Sequence, residues 1–195
     1  MSRAQRQPSP TGIYHWITRG IHRKKIFHDD SDFKSILGIL SELKTKYSIK
    51  IYHYCVMDNH VHVLLFSESL ENLASFSHFL ARRYVYYYCQ KYKWIGAVFQ
   101  GRYKIHPVND ERYLLECGRY IERNPIPAGI ALHPEEYPYT SFGYYNGVTT
   151  DTLIDPSPAF LKLDDRDEVR RKAYEIYVKI NRPTELKEQK IFKLV

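Results

Sequence analysis

Two apolar runs separated by a three-residue polar break constrain the fold of this chain more than any other feature. The first run covers residues 49–56 and the second covers residues 60–66, with Met57-Asp58-Asn59 between them. Runs of this length that are rich in β-branched and aromatic residues are typical of strands, and so short a break indicates a tight turn. Apart from one histidine, the second run is apolar from Val61 to Phe66, which indicates a central, mostly buried strand. The sequence therefore predicts a hairpin within a sheet.

The other periodicities place this hairpin in a series of strands and helices. Runs rich in β-formers predict strands, and apolar residues that recur every three to four positions predict amphipathic helices. Ser31, Ser69 and Asp110 are suitable helix N-caps. The predicted elements are a strand at 13–18, a helix at 31–47, the hairpin strands at 49–56 and 60–66, a helix at 69–92, a strand at 103–108 and a helix at 111–124.

This order predicts an α+β fold with a ferredoxin-like core. A split β-α-β arrangement gives an antiparallel sheet, and we expect the helices to pack together on one face of it, up to about residue 130. Residues 1–11 are polar and basic, and are expected to be flexible. Prolines mark residues 131–195 as an irregular extension with a charged helix at 165–180, which packs on or beside the core.

The charge balance favours a polyanionic partner. Lys and Arg total 29 against 22 Asp and Glu, a formal net charge of +7. Residues 1–28 carry basic residues and no acidic one, whereas residues 151–195 are almost balanced. Nucleic acid is therefore the first candidate partner, although scattered lysines can also simply keep a protein in solution.

Cysteine usage and hydropathy indicate a cytoplasmic protein with no membrane partner. Cys55, Cys89 and Cys117 are widely spaced and form no Cys-x-x-Cys pair, so neither a disulfide framework nor a cysteine zinc site is indicated. No stretch approaches the roughly 18 apolar residues of a membrane span. The N-terminus has no apolar segment of signal-peptide length.

His60 and His62 form a pair that could bind one metal ion. Residues two apart on a strand point to the same face, so both imidazoles project together. In a buried strand the pair needs partners that water cannot supply, and either a metal or a carboxylate would provide them. Histidines two apart also occur on ordinary solvated strands, so the spacing alone leaves these interpretations open.

A second candidate group lies along the third helix. Tyr113, Cys117, Tyr120 and Asn124 follow one another at spacings of four, three and four, so Tyr120 and Asn124 are stacked neighbours. A phenol and an amide oxygen therefore project together. The chain has 18 tyrosines, however, and Tyr120 could equally be one that packs against the sheet with its hydroxyl at the rim.

Several motifs in a fixed order resemble the histidine-hydrophobic-histidine (HUH) single-tyrosine transposases of insertion sequences, and especially the REP-associated tyrosine transposases. The likeness covers about residues 12–145. Tyr137-Pro138-Tyr139-Thr140-Ser141 departs from the tryptophan and two serines that are more usual there. The residues that carry the resemblance are Tyr14 to Gly20 with Arg23 and Ile26-Phe27, Tyr54 to His62, Phe99 to Tyr103, and Arg119 to Pro125.

The resemblance implies a catalytic domain at residues 12–130 with a defined active site. Tyr120 would be the nucleophile, and His60, His62 and Asn124 would bind the metal, although several relatives have glutamine at the last position. The family works with Mg²⁺ or Mn²⁺, and nitrogen ligands suit Mn²⁺ or Zn²⁺ better than Mg²⁺. A divalent cation would stabilise the charge on the scissile phosphate while the phenol attacks, which gives a 5′-phosphotyrosine.

Basic residues around this site are candidates for DNA binding. They occur after the first strand and on and beyond the second helix, next to aromatic residues, and phosphate contacts combined with base stacking suit single strands. The candidates are Arg19, His22, Arg23, Lys24, Lys25, Arg82, Arg83 and Arg102.

The sequence therefore predicts metal-dependent cleavage and strand transfer of single-stranded DNA that forms hairpins. One alternative is a catalytically silent regulator of the same fold that binds hairpin DNA or RNA. Another is a hydrolase that uses a metal-bound water. The sequence does not choose between a monomer and a homodimer, and it does not specify the DNA target or the role of residues 131–195.

Overall fold

Four antiparallel strands form one sheet at the centre of the molecule. The computed structural model describes residues 7–180 of the 195-residue chain. The strands are β1 (Ile13–Arg19), β2 (Lys50–Val56), β3 (His60–Phe66) and β4 (Lys104–Val108), in the order β2-β3-β1-β4. All three pairings are antiparallel. This is the strand order of a split β-α-β sheet, so the predicted fold class is confirmed.

Helices α1 (Asp30–Lys46) and α2 (Leu70–Tyr92) pack side by side on one face of the sheet. The sheet residues beneath them include Trp16, Val63 and Leu65, each at most 1% exposed. These residues alternate along β1 and β3 with residues that point to the other face. The larger of the two cores therefore lies between this helix pair and the sheet.

The helix N-termini follow from short polar residues that bind backbone amides. The Ser69 side chain caps α2 as predicted, by accepting from the amide of Asn72. α1 begins earlier than predicted, because the side chain of Asp29, rather than Ser31, accepts from two backbone amides. The side chain of Asp32 accepts a hydrogen bond from the backbone amide of Asp29, which completes a capping box. The carboxylate satisfies more unpaired amides than the Ser31 hydroxyl could.

Helix α3 (Glu111–Glu122) packs on the opposite face of the sheet, so the expectation that the helices share one face is wrong for this helix. α1 and α2 already cover the other face, and the apolar stripe of α3 can be buried only on the face they leave open. The second, smaller core formed there includes Leu114, Cys117 and Ile121 of α3 with Cys55 and Leu64 of the sheet.

The extension wraps around β2 and the outer side of α3. A 3-10 turn at Pro134–Glu136, α4 (Phe142–Tyr145) and α5 (Pro158–Leu161) precede α6 (Asp167–Lys179). The backbone amide of Val56 donates to the carbonyl of Tyr139, at 2.9 Å, so this segment covers an otherwise open sheet edge. Residues 181–195 of the predicted extension and residues 1–6 of the predicted flexible N-terminus lie outside the described residues. Within residues 7–180, no helix is long and apolar enough to cross a bilayer.

A buried network anchors α3 to β2 and to the extension. Glu122 and His53 are both fully buried, and Oε1 of Glu122 lies 2.9 Å from Nδ1 of His53. The Ser141 hydroxyl donates to the same carboxylate oxygen at 2.6 Å, and the Tyr174 hydroxyl donates to Oε2 at 2.9 Å. Both carboxylate oxygens are thus hydrogen-bonded, which removes the penalty for burying them unsatisfied.

Two buried arginines of the α3 region hold the end of α6. The Arg119 Nε donates to the carbonyl of Tyr177 at 3.0 Å, and an Arg123 Nη donates to the carbonyl of Val178 at 2.7 Å. Cations at a helix C-terminus satisfy carbonyls that lack partners within the helix and oppose its dipole. Both arginines flank Tyr120 in sequence, yet they pack the extension against α3.

Gly118 provides a test of how tightly α3 is seated. A Cβ at this position would lie 2.7 Å from Nε2 of His53, in a region with no room to relax, whereas a Cβ on the exposed Gly38 of α1 would meet nothing within 4 Å. We expect Gly118→Ala to lower the free energy of unfolding by about 1–3 kcal/mol through overpacking. The matched Gly38→Ala should raise it by about 0.5–1 kcal/mol. Urea denaturation of both variants measures this, and an unchanged or increased stability of Gly118→Ala would contradict the close approach.

Candidate active site

Histidines from three strands gather on the sheet face that α3 covers. His60 and His62 of β3 point to this face together with His15 of β1 and His106 of β4, because the register pairs His15 with His106 and places His62 opposite Ile17. The ring centroids of His60 and His62 are 4.8 Å apart, with their planes at 85°. The His15 ring stacks on His62 at 5.0 Å. The strand periodicity predicted for His60 and His62 is therefore what brings their rings together.

Hydrogen bonds at Nδ1 orient both proposed metal-binding rings. Nδ1 of His60 lies 2.5 Å from Oδ1 of Asn59, which can only accept, so the ring proton is on Nδ1 of His60. Nδ1 of His62 lies 2.8 Å from Nε2 of His15. If His62 donates in this pair, both His60 and His62 carry their proton on Nδ1 and keep the Nε2 lone pair for a ligand.

Burial keeps these imidazoles neutral. Loss of solvation lowers the pKa of His60 to about 4, and the positive charge of Arg19 contributes to the shift. Burial lowers the pKa of His62 well below its usual value, and that of His15 to about 3. At pH 7 the three rings therefore carry no charge, and a neutral imidazole is the form that binds metal.

Tyr120 and Asn124 reach the same place from α3. The Tyr120 ring meets His62 edge-on, with centroids 5.8 Å apart. The Asn124 amide nitrogen donates to the carbonyl of Tyr120 at 2.9 Å, which leaves its Oδ1 as an acceptor. The Asn124 side chain also lies within hydrogen-bonding reach of His60 and of the Tyr120 hydroxyl. The predicted stacking of Tyr120 and Asn124 on one helix therefore places both beside the histidine pair.

The surroundings of Tyr120 oppose its ionisation. Burial raises the pKa of its phenol to about 12, and the nearby Cys117 adds to the effect. A phenol with this pKa attacks poorly unless a positive charge stabilises its oxyanion as the proton leaves. A nucleophilic role for Tyr120 would therefore require a cation close to the phenol oxygen.

Two neutral imidazoles and an amide oxygen make up the available metal ligands. Within the described part of the chain, no group of three or more His, Cys, Asp or Glu side chains could hold a metal ion. Nε2 of His60, Nε2 of His62 and Oδ1 of Asn124 form an uncharged donor set that fits a divalent cation with open positions. An uncharged set also leaves the full charge of the ion available to a phosphate.

Of the predicted DNA-binding residues, Arg19 lies near His60, and Arg102 lies near Arg19. Arg19 influences the pKa of His60 and bonds Gln100 at 3.2 Å, and Arg102 lines a small cavity together with Arg19. His22 to Lys25 form an exposed turn after β1, in which Lys25 pairs with Asp58 at 3.2 Å. Arg82 lines a separate cavity on the α2 side. Arg83 instead pairs with Glu42 of α1 at 2.6 Å and is not gathered with the others.

Asn59 and His15 are site residues that the sequence did not single out. Asn59 was assigned only to the turn, yet it bonds His60 and also donates to the carbonyl of Arg23 at 3.0 Å, so it links the basic turn to the His60 ring. His15 was not among the candidate metal ligands. Alternation along β1 shows which residues share a face with His15. It does not show that His15 meets His62, because the register between β1 and β3 is set by long-range pairing.

The ring tautomers give a direct test of this geometry. We expect His60 to carry the proton on Nδ1, because Oδ1 of Asn59 can only accept. We further propose that His62 also carries its proton on Nδ1 and donates it to Nε2 of His15. Nitrogen-15 NMR of histidine-labelled protein distinguishes the two tautomers. Asn59→Ala should shift His60 toward a mixture of tautomers, whereas the exposed control Asn109→Ala should not. A proton on Nε2 of either ring in the unaltered protein would contradict the assignment.

Comparisons with known proteins agree with this architecture. A family model described as "Transposase IS200 like" matches residues 10–124, and no curated protein matches the chain. The structure of the REP-associated tyrosine transposase bound to a REP hairpin has 14% sequence identity and a TM-score of 0.62, and the match covers 80% of this chain and 99% of that one. A putative transposase from Deinococcus radiodurans R1 has 19% identity and a TM-score of 0.44, with 63% and 97% covered.

The second structure is too distant to support an argument, and the first shows that the fold is shared. The family match is independent of that likeness and spans more than half of the chain, including the histidine pair and Tyr120. The resemblance seen in the sequence is thus confirmed: the chain belongs to the IS200-like family of transposases, which act on DNA.

Proposed function

We propose that this protein cleaves single-stranded DNA and transfers the cut strand in a metal-dependent reaction, with Tyr120 as nucleophile. The observation that carries the proposal is the convergence of Tyr120, Asn124, His60 and His62 on one sheet face, from two elements that are distant in sequence. A tyrosine that only packed against the sheet would not need a pair of neutral, oriented imidazoles beside it.

The metal would be held by His60, His62 and Asn124. It would be Mg²⁺ or Mn²⁺, and the two nitrogen ligands favour Mn²⁺ on intrinsic preference. When bound, the cation supplies positive charge for the scissile phosphate, for the departing 3′-oxygen and for the phenol oxygen. The uncharged donor set supports this role, because no protein carboxylate in the set competes with the phosphate for the ion.

The reaction exchanges one phosphate ester for another. The Tyr120 oxygen attacks the phosphorus, the bond from phosphorus to the 3′-oxygen breaks, the phenol loses its proton and the 3′-oxygen gains one. The product is a 5′-phosphotyrosine and a free 3′-hydroxyl. A second 3′-hydroxyl can then attack the same phosphorus and release Tyr120, so cleavage and joining use one site without an external energy source.

Basic residues near the site would bind the DNA backbone. Arg19 acts on His60 and lines a small cavity together with Arg102, and the exposed turn at residues 22–25 follows Arg19 in the chain. Asn59 joins this turn to His60, so phosphate contacts there would also help to position the metal ligand. A hairpin with unpaired flanks is the proposed substrate, since the structural neighbour was solved bound to a REP hairpin. The proposed contacts are Arg19, His22, Arg23, Lys24, Lys25, Arg82 and Arg102.

One chain supplies every proposed catalytic side chain. Tyr120 is held over its own chain's histidines by the buried contacts of Glu122, so we propose that the reaction takes place within one chain, in a monomer or in each chain of a homodimer. Because DNA is the proposed substrate, and Cys55, Cys89 and Cys117 are free thiols, we place the protein in the cytoplasm.

Removal of the Tyr120 oxygen tests the nucleophile. We expect Tyr120→Phe to abolish the covalent protein–DNA adduct and strand cleavage while leaving DNA affinity within about twofold, because only the attacking oxygen is removed and the other DNA contacts remain. Tyr113→Phe, on the same helix and also partly buried, is the matched control and should keep both activities. The measurement is denaturing electrophoresis of 5′- and 3′-labelled hairpin DNA incubated with each protein and Mn²⁺.

Three outcomes of this experiment differ in meaning. A retarded band in the unaltered protein that is absent for Tyr120→Phe supports the phosphotyrosine. Cleavage without a retarded band would instead indicate a hydrolase that uses water. Tight binding without cleavage, across hairpins of varied sequence, would indicate a regulator that has lost the reaction.

The exposed turn gives a separate prediction about binding. Arg23 is solvent-exposed and adjoins the Asn59 contact, so we expect it to bind a phosphate. Arg23→Ala should weaken binding to all hairpins to a similar extent and reduce the slope of log affinity against log salt by about 1. Anisotropy titrations at several salt concentrations measure this slope. An unchanged slope would exclude Arg23 from the DNA interface.

A further inference from the structure

A cavity of about 530 Å³ lies between α2 and the segment at residues 97–103, on the sheet face away from Tyr120. It exists because α2 presents small residues toward it, with Ala74, Ser77 and Ala81 at spacings of three and four. Larger side chains at these positions would fill the space between α2 and the sheet. The volume is within the range of pockets that bind small organic groups.

The cavity has a rigid aromatic wall. Trp16 is 1% exposed and donates from Nε1 to the Ser77 hydroxyl at 2.9 Å, which in turn donates to the carbonyl of Leu73 at 2.6 Å. Tyr103 stacks against Trp16 with centroids 5.9 Å apart and planes at 25°. Trp16 is almost fully covered, so the accessible part of the wall is the half-buried ring of Tyr103, with Trp16 behind it. Because these contacts exist without any ligand, the wall is already formed, and a flat apolar group could contact Tyr103 with little reorganisation.

An arginine lies on each side of this cavity. Arg82 projects from α2 and Arg102 from the facing segment, and within residues 7–180 neither makes an ion pair. Two free guanidinium groups beside an aromatic wall fit a ligand that combines a flat ring with a phosphate.

The cavity continues toward the histidine site around the β4 edge of the sheet. Thr18 and Arg102 line both this cavity and a smaller one of about 90 Å³, whose other residues include Arg19, Gln100 and Lys104. Arg19 is near enough to His60 to lower its pKa. Arg19 and Arg102 therefore lie between the surroundings of His60 and the cavity, where they could contact the backbone of a strand that passes both.

We propose that this cavity binds one unpaired nucleobase of the DNA strand that passes the active site, with the adjoining phosphates held by Arg82 and Arg102. The inference rests on the proposed function for the identity of the strand. It adds a base-binding site outside the catalytic centre, which would set how the strand is positioned relative to Tyr120. Stacking on an aromatic wall tolerates different bases. The site would therefore fix which nucleotide of the strand lies at Tyr120 by its distance from the bound base, with little preference for the identity of that base.

Abasic substitution locates such a site. In a hairpin with unpaired flanks, each unpaired nucleotide is replaced in turn by an abasic one, and binding to Tyr120→Phe protein is measured by anisotropy without metal. We expect a loss of about tenfold at one position, or at two adjacent positions, since one stacked base contributes on the order of 1–3 kcal/mol. Ala81→Leu, added to the same protein, fills the cavity and should remove the difference between abasic and intact DNA.

A second pair of variants tests the site without altering the cavity volume. Arg82→Ala should weaken binding several-fold, whereas Arg83→Ala, whose guanidinium pairs with Glu42 on the side of α2 that faces α1, should weaken it less. Thermal unfolding of each variant shows whether it is folded. Ala81→Leu should be no less stable than the unaltered protein, because filling a cavity adds buried contacts.

The outcomes separate this proposal from the proposed strand transfer. A flat abasic profile, or the same loss in Ala81→Leu as in the unaltered cavity, overturns the base-binding site even if cleavage and the covalent adduct are observed. A localised loss that Ala81→Leu removes supports the site even if the DNA is never cut. A concentration-dependent dimer that Ala81→Leu disrupts would mean that a second copy fills the cavity, and would also overturn the proposal.

Discussion

The packing of α3 on the sheet face that α1 and α2 leave open determines everything at the candidate site. Had α3 joined the other helices, the sheet would separate Tyr120 from His60 and His62. The helix is held there by Glu122, whose buried carboxylate bonds His53 of β2, Ser141 and Tyr174, and by the missing side chain at Gly118. The long extension thus contributes to the site indirectly, since it supplies two of the partners that fix the helix.

The electrostatics of the site are unusual because everything near the phenol is neutral. Burial lowers the pKa of His15, His60 and His62, so that their imidazoles are neutral at pH 7. The same burial raises the pKa of Tyr120 to about 12. The protein alone therefore does not activate the phenol. One divalent cation would do so, because it would bind to the neutral donors and bring its full charge to the reacting oxygens.

Much of this architecture could be predicted from local sequence. Strand β3, its turn and the Ser69 cap follow from short-range patterns, and so does the common direction of His60 and His62. The face occupied by α3 could not be predicted, because it depends on partners such as Glu122 and His53 that are 69 residues apart. The roles of Asn59 and His15 were missed for the same reason, since periodicity shows which side chains share a face but not which atoms meet across strands.

The central claim is that one sheet face forms a combined metal and tyrosine centre, and anomalous diffraction tests it most directly. Crystals of the full chain soaked with Mn²⁺ should show a single strong anomalous peak at coordination distance from Nε2 of His60, Nε2 of His62 and Oδ1 of Asn124, with the Tyr120 hydroxyl adjacent. A peak at another site in the molecule, or no peak at this face at Mn²⁺ concentrations that support DNA cleavage, would contradict the account.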